Sequence, residues 1–117
     1  AILIKDNHVA VCGSVGAAVR AAKTHAGHMT RVAVDVDRLD QLAEAIEAGA
    51  ESVLLDNFSL ADLKDAVAQA GGKLTLEASG GVNLDTVRAI AETGVDVISV
   101  GALTHSAPNF DIGLDWD

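Results

Sequence analysis

Apolar residues in this chain gather into five short runs that close on polar or glycine-bearing sequence. Ile2-Leu3-Ile4 leads to Lys5-Asp6, and Val34 and Val36 alternate with Asp35 and Asp37. Val53-Leu54-Leu55 leads to Asp56-Asn57, and Leu74-Thr75-Leu76-Glu77 precedes Ser79-Gly80-Gly81. Val97-Ile98-Ser99-Val100 ends at Gly101. Between the runs the apolar positions recur at helical spacing. Val15, Ala18, Val19 and Ala22 follow Ser14, a good N-cap. Leu39, Leu42, Ala43 and Ile46 form a second stripe closed by Gly49, and Leu60, Leu63 and Val67 form a third between Ser59 and Gly71-Gly72. Leu84, Val87, Ile90 and Ala91 form a fourth, opened by Asn83 or Asp85 and closed by Gly94. Residues 7–13 and the tail from Pro108 to Asp117 show no period and read as loop.

Strands recurring at intervals of about 20 to 30 residues, with helices between them, define βα units and a parallel sheet. Runs apolar on both faces imply helices on both sides of that sheet. A doubly wound sheet and part of a (β/α) barrel both fit. The barrel is the better reading, because charged residues at successive strand ends converge when strands curve round one axis. A complete barrel needs roughly 200 residues or more, and the chain has 117. It also begins at Ala1 with a strand almost at once. The expectation is therefore the C-terminal part of an open TIM-like α/β barrel, with earlier strands upstream.

Composition narrows the function. Half the residues are apolar but only 3% are aromatic, so the core is aliphatic. A net charge of −9 disfavours nucleic acid and anionic membrane surfaces as partners. No apolar run approaches the roughly 20 residues of a membrane span, and no signal peptide is recognisable. Cys12 is the only cysteine, which suits a reducing cytoplasm and reads as a small packed residue.

Ligands of α/β folds bind at the C-terminal ends of the strands, so candidate chemistry is sought there. Lys5 could hold a carboxylate or phosphate, or form a Schiff base if desolvated. Asp35 and Asp37 share one strand face; Asp37 reads better as a turn residue ahead of the next helix. Asp35 and Asp56 could bind Mg²⁺ through water, hold ribose hydroxyls or stabilise a developing positive charge. Ser79, Gly80 and Gly81 open a helix, where backbone amides approach an anion closely. Val100, Gly101 and Ala102 supply a second set of amides, and two such loops in succession form a common barrel phosphate site. His8 and His105 lie in rim loops within reach of a ligand, whereas His25 and His28 sit at a solvated helix end. No histidine pair has zinc-motif spacing.

Taken together, Ile4-Lys5-Asp6-Asn7-His8, Leu54-Leu55-Asp56-Asn57, Leu76-Glu77-Ala78-Ser79-Gly80-Gly81-Val82, Thr93-Gly94-Val95-Asp96, Ser99-Val100-Gly101-Ala102-Leu103-Thr104-His105 and Leu114-Asp115 resemble quinolinate phosphoribosyltransferase over nearly the whole chain. The resemblance implies a magnesium-dependent cytoplasmic enzyme of NAD biosynthesis. Its substrates would be quinolinate and phosphoribosyl pyrophosphate. Its products would be nicotinate mononucleotide, pyrophosphate and CO₂. It implies an N-terminal α/β sandwich domain outside this chain, and a dimer or dimer-based oligomer. Lys5 would contact substrate, Asp56 would lie at the ribose and metal end, and the two glycine-bearing loops would take the 5′-phosphate. Where the family usually has Glu-Val-Glu-Val, this chain has Ala33-Val34-Asp35-Val36, so Asp35 stands one methylene shorter in the place of a site-lining glutamate. A related phosphoribosyltransferase acting on another base, a Schiff-base lyase and an incomplete fragment that retains phosphate binding are the rival readings.

Overall fold

The computed structural model describes residues 1–115; Trp116 and Asp117, the end of the predicted tail loop, lie outside them. Five parallel strands form one sheet in sequential order: β1 (Ile2–Ile4), β2 (Val32–Val36), β3 (Ser52–Asp56), β4 (Thr75–Ser79) and β5 (Val97–Ile98). Six helices accompany them: α1 (Asp6–Cys12), α2 (Val15–His25), α3 (Leu39–Ala48), α4 (Leu60–Ala70), α5 (Val87–Ala91) and α6 (Ala102–His105). Sequential order distinguishes this sheet from a doubly wound one, whose strand order reverses at a switch point. α2 packs beside α3, α3 beside α4 and α4 beside α5, so the helices run round the sheet in chain order. This is the winding of an α/β barrel, left open between β1 and β5.

The core lies between the helices and one sheet face. Ile4, Val34, Val53 and Leu76 form one buried row across four strands, and Val36, Leu55 and Ala78 form the next. Helix residues Val15, Val19, Leu42, Ala45, Leu63 and Ala66 pack down on them. Small side chains at Ala45 and Ala66 let helix and sheet approach closely, which explains an aliphatic core with almost no aromatic volume.

The expectation of helices on both faces is corrected here. Burial alternates strictly along β2, β3 and β4, and among the described residues only one face is covered. The other face carries Leu3, Ala33, Asp35, Ser52, Leu54, Asp56, Thr75, Glu77 and Ser79, all partly or well exposed. In a barrel that face is the interior.

Several boundaries also move. The loop predicted over residues 7–13 is taken up by α1 (Asp6–Cys12), a helix with no buried residue; an element that buries nothing leaves no apolar period to read. It ends at Gly13, whose φ of 88° makes the left-handed stop. Cys12 is exposed rather than packed. On α3 Ala45 is buried and Ala43 is not. Leu84 is 93% exposed, and α5 begins later than predicted. The Asn83 side chain accepts from the amides of Asp85 and Thr86 at 2.9 and 3.1 Å, holding residues 83–86 as a turn. No described helix is long and apolar enough to cross a membrane.

Ser59 caps α4 as predicted. Its Oγ accepts from the Asp62 amide at 3.2 Å and donates to the Asp62 carboxylate at 2.6 Å. Ser59→Ala is expected to cost about 1 kcal/mol in urea unfolding, and an unchanged midpoint would show that Asp62 holds the first turn alone.

Candidate active site

The sheet register places the polar residues of the open face in rows. Asp35 pairs with Leu54, and Leu54 with Glu77; one step nearer the C-terminal rim, Asp56 pairs with Ser79. Lys5 follows β1 directly and caps α1 with extended backbone, φ −120°. Its Nζ lies 3.8 Å from Asp35 Oδ2. Its own amide donates to His8 Nδ1 at 3.0 Å, and the His8 amide donates to the Lys5 carbonyl at 2.9 Å. His8 thus fixes the turn that carries Lys5 and stands in α1 rather than in a rim loop.

Lys5, Asp35 and Asp56 line one cleft of about 490 Å³ together with Asp6, Asp37, Val9, Ala10, Val36 and Gln41. Lys5 is the only cation among these residues. Asp37 lies at the cleft edge with its carboxylate on Arg38 at 3.3 Å, outside the sheet, as a turn residue. Asp35 is the electrostatic focus. Its Oδ1 is buried without a hydrogen-bond partner among the described residues. Burial pushes its carboxyl above the ordinary value; Asp56, Asp6 and Asp37 add to this, and Lys5 opposes it.

The glycine loops form a second cavity of about 430 Å³, lined by Ser79, Gly80, Gly81, Val82, Ser99, Gly101, Ala102 and His105. Gly80 and Gly81 have φ of 86° and 62°, so the loop needs glycine on backbone grounds alone. Gly80 also has no room: a Cβ there would sit 2.9 Å from Asp56 Oδ1 and closer still to the Asn57 side chain. The carboxylate that ends β3 thus lies beside the loop that ends β4, which makes the two cavities neighbours. A Cβ on Gly101 would meet His105 Nε2 at 2.7 Å, the tip of an exposed side chain that can swing aside. The His105 ring thus stands over the second loop, with Nδ1 2.8 Å from Ser106 Oγ.

Val100 departs from its companions. It lines an apolar hollow with Leu84, Val87 and Leu103 and is not among the residues that line the glycine cavity. Two features escaped the sequence reading. Ser99 Oγ donates to Glu77 Oε1 and ties β5 to β4 beneath the glycine loops. Asn57 adopts φ 57°, left-handed for a non-glycine residue. Asp56-Asn57 was visible as a motif, but its backbone state was not.

Another cavity, about 620 Å³, opens at the opposite rim beside Arg31, Glu51, Lys73, Thr75 and Asp96. There the Glu51 and Asp96 carboxylates accept the amides of Val32 and Leu76 at 2.7 and 2.8 Å. These groups close the starts of the strands, and barrel chemistry belongs at the other end.

A singly wound parallel sheet with helices on its outside and polar side chains converging at the C-terminal rim defines a domain of the α/β-barrel class. Residues 1–115 match the family described as quinolinate phosphoribosyl transferase, C-terminal domain. The chain belongs to that family. Over 116 residues it is 45% identical to the nicotinate-nucleotide pyrophosphorylase (carboxylating) of Mycobacterium leprae and 41% identical to that of Rattus norvegicus, each alignment taking in 97% of this chain. The solved nicotinate-nucleotide pyrophosphorylase of Francisella tularensis is 48% identical, with a TM-score of 0.84 over 89% of this chain and 37% of that one. The chain spans 40% of the Mycobacterium leprae protein and 39% of the rat protein.

Proposed function

We propose that this chain forms the C-terminal part of an enzyme that transfers phosphoribose from phosphoribosyl pyrophosphate to quinolinate. The products are nicotinate mononucleotide, pyrophosphate and CO₂. The carrying observation is the place of Asp56 beside the Gly80 loop, which sets a carboxylate cleft next to a glycine cavity across neighbouring strand ends. A sugar phosphate needs that adjacency: amides for the 5′-phosphate at one end and anionic groups near C1′ at the other.

In this reading the amides of residues 79–81 and 101–102 hold the 5′-phosphate, with His105 Nε2 as a further donor. Remote phosphate binding holds the sugar for attack. As the C1′–O bond to pyrophosphate lengthens, positive charge develops on the ring, and Asp35 and Asp56 stabilise it from fixed positions. The quinolinate nitrogen forms the new bond to C1′. Lys5 clamps a substrate carboxylate, and loss of CO₂ leaves an electron pair on the ring carbon that takes up a proton. Mg²⁺ would be an outer partner: no described group of three or more His, Cys, Asp or Glu is placed to hold a metal, and the Asp35 and Asp56 carboxylates that line one cleft would hold it through water. Its chemistry when bound is neutralisation of the pyrophosphate charge.

Both substrates are strongly anionic, whereas the cleft offers one cation. The remaining cations are assigned to residues outside this chain, in the sandwich domain and the first barrel strands and in a partner subunit of a dimer or dimer-based oligomer. A cytoplasmic setting belongs to the same proposal and is supported by the single cysteine.

The test compares the complete protein with the 117-residue chain. The complete protein is expected to release CO₂ and form nicotinate mononucleotide from quinolinate but not from nicotinate. The chain alone is expected to bind ribose 5-phosphate by calorimetry with little or no turnover. Turnover on nicotinate alone would transfer the reading to another base, and robust turnover by the isolated chain would refute the assignment of the missing cations.

A further inference from the structure

Three observations meet at Asn57. Its φ of 57° makes it the one non-glycine residue of the described chain in the left-handed region. Its amide donates to the Ser79 carbonyl at 2.9 Å, extending the β3–β4 pairing past the last strand residue. Its side chain lies against Gly80, so that a Cβ on Gly80 would approach Asn57 Cγ to 2.7 Å. Asparagine tolerates this backbone better than most residues, but the state still costs free energy relative to an extended strand. It turns the chain immediately after Asp56, leaving that carboxylate at the rim, and it folds the amide side chain back onto the neighbouring loop.

Gly80 and Gly81 border two hollows. One is the glycine cavity; the other, about 410 Å³, lies on the side of Asn57, Phe58 and Thr86. The loop is therefore a thin partition, and Asn57 is the side chain in contact with it from the outer hollow. With no side chains of their own, the two glycines depend on such a neighbour to hold their position.

We propose that Asn57 is a positioning residue that sets the separation between the carboxylate cleft and the phosphate loop. This rests on the sugar-phosphate reading of the site given above. Asn57 touches Gly80 and follows Asp56, so it fixes both ends against which a phosphoribosyl group is measured. A ligand that occupies only the loop is indifferent to that separation. A ligand that spans both ends is not.

The complete protein carrying Asn57→Gly keeps the left-handed backbone at no steric cost and loses only the side chain. Its kcat/KM for phosphoribosyl pyrophosphate is expected to fall about tenfold, while its affinity for inorganic phosphate stays within about twofold of wild type. Asn57→Ala removes the same side chain but retains the backbone strain, so it is expected to show the same kinetic loss together with a lower melting temperature. Unchanged kcat/KM in Asn57→Gly would overturn the proposal. So would equal losses for both ligands accompanied by a lower melting temperature, which mark a purely structural residue. If wild-type protein binds neither ligand, the sugar-phosphate reading itself fails and this proposal with it.

Discussion

Gly80→Ala is expected to weaken the productive use of phosphoribosyl pyrophosphate severely while leaving the fold intact. The residue has φ 86° and sits against the Asp56 carboxylate and the Asn57 amide. An alanine in this state costs about 1–2 kcal/mol from its backbone alone. The larger effect is geometric. The loop cannot back away without losing its amide directions, so either Asp56 and Asn57 retreat or the loop swings out. Both change the distance between the phosphate amides and the carboxylates. Misplacement of about 1 Å lowers rates on the order of a hundredfold, and that is the expected fall in kcat/KM for the complete protein. The circular dichroism spectrum should be unchanged, because Gly80 is exposed and contributes nothing to the buried rows. Wild-type kinetics in this variant would mean that the two cavities do not act on one ligand.

Asp35→Asn is expected to make the protein more stable and far less active. The Asp35 side chain is 24% exposed, with one oxygen unpartnered and the other 3.8 Å from a Lys5 side chain that is itself 56% exposed. Its folded-state carboxyl is raised by burial first, then by Asp56, Asp6 and Asp37, with Lys5 pulling the other way. The folded chain therefore keeps this proton to higher pH than the unfolded chain does. Below the unfolded value the residue costs nothing; stability falls as pH rises from there through the raised folded value, and the full cost is present above it. An asparagine removes the charge that bears this cost. The variant is expected to be the more stable of the two at pH 7, and the difference should shrink as the pH is lowered towards about 4. The carboxylate facing the reacting sugar disappears with the same substitution, and kcat is expected to fall about a hundredfold or more. Urea unfolding at both pH values, alongside turnover in the complete protein, measures the two effects together. A variant less stable than wild type at pH 7 would show that Lys5 outweighs burial.

These two variants draw on different parts of what the sequence revealed. Lys5, Asp35, Asp56 and Gly80 were legible because each stands at or just past the end of a predicted strand, and parallel strands in sequence order bring such ends together whatever the details. The helix stripes were legible where helices bury a face, as at Leu42 and Leu63. They were not at α1, which buries nothing, or at residues 83–86, where a side chain bonding to backbone delays the helix past an apolar Leu84. The one-sided sheet was missed because Ala33 and Leu54 read as apolar even though they face the open side. The positive φ of Asn57, the His8 cap and the His105 ring over Gly101 are local atomic geometries, and the Glu77–Ser99 link is a relation between different segments. Composition and periodicity carry no trace of them.

The strict alternation of burial along β2 divides mutational freedom between its two sides. Val32, Val34 and Val36 answer to packing, and changes of volume there are felt through the helices. Ala33 and Asp35 answer only to whatever occupies the space before them. A lineage can therefore trade a longer acid for a shorter one, or an acid for a methyl group, at these two places without disturbing a single core contact. Natural variation in substrate handling should accordingly accumulate at the odd-numbered positions of this strand while the even-numbered ones stand still.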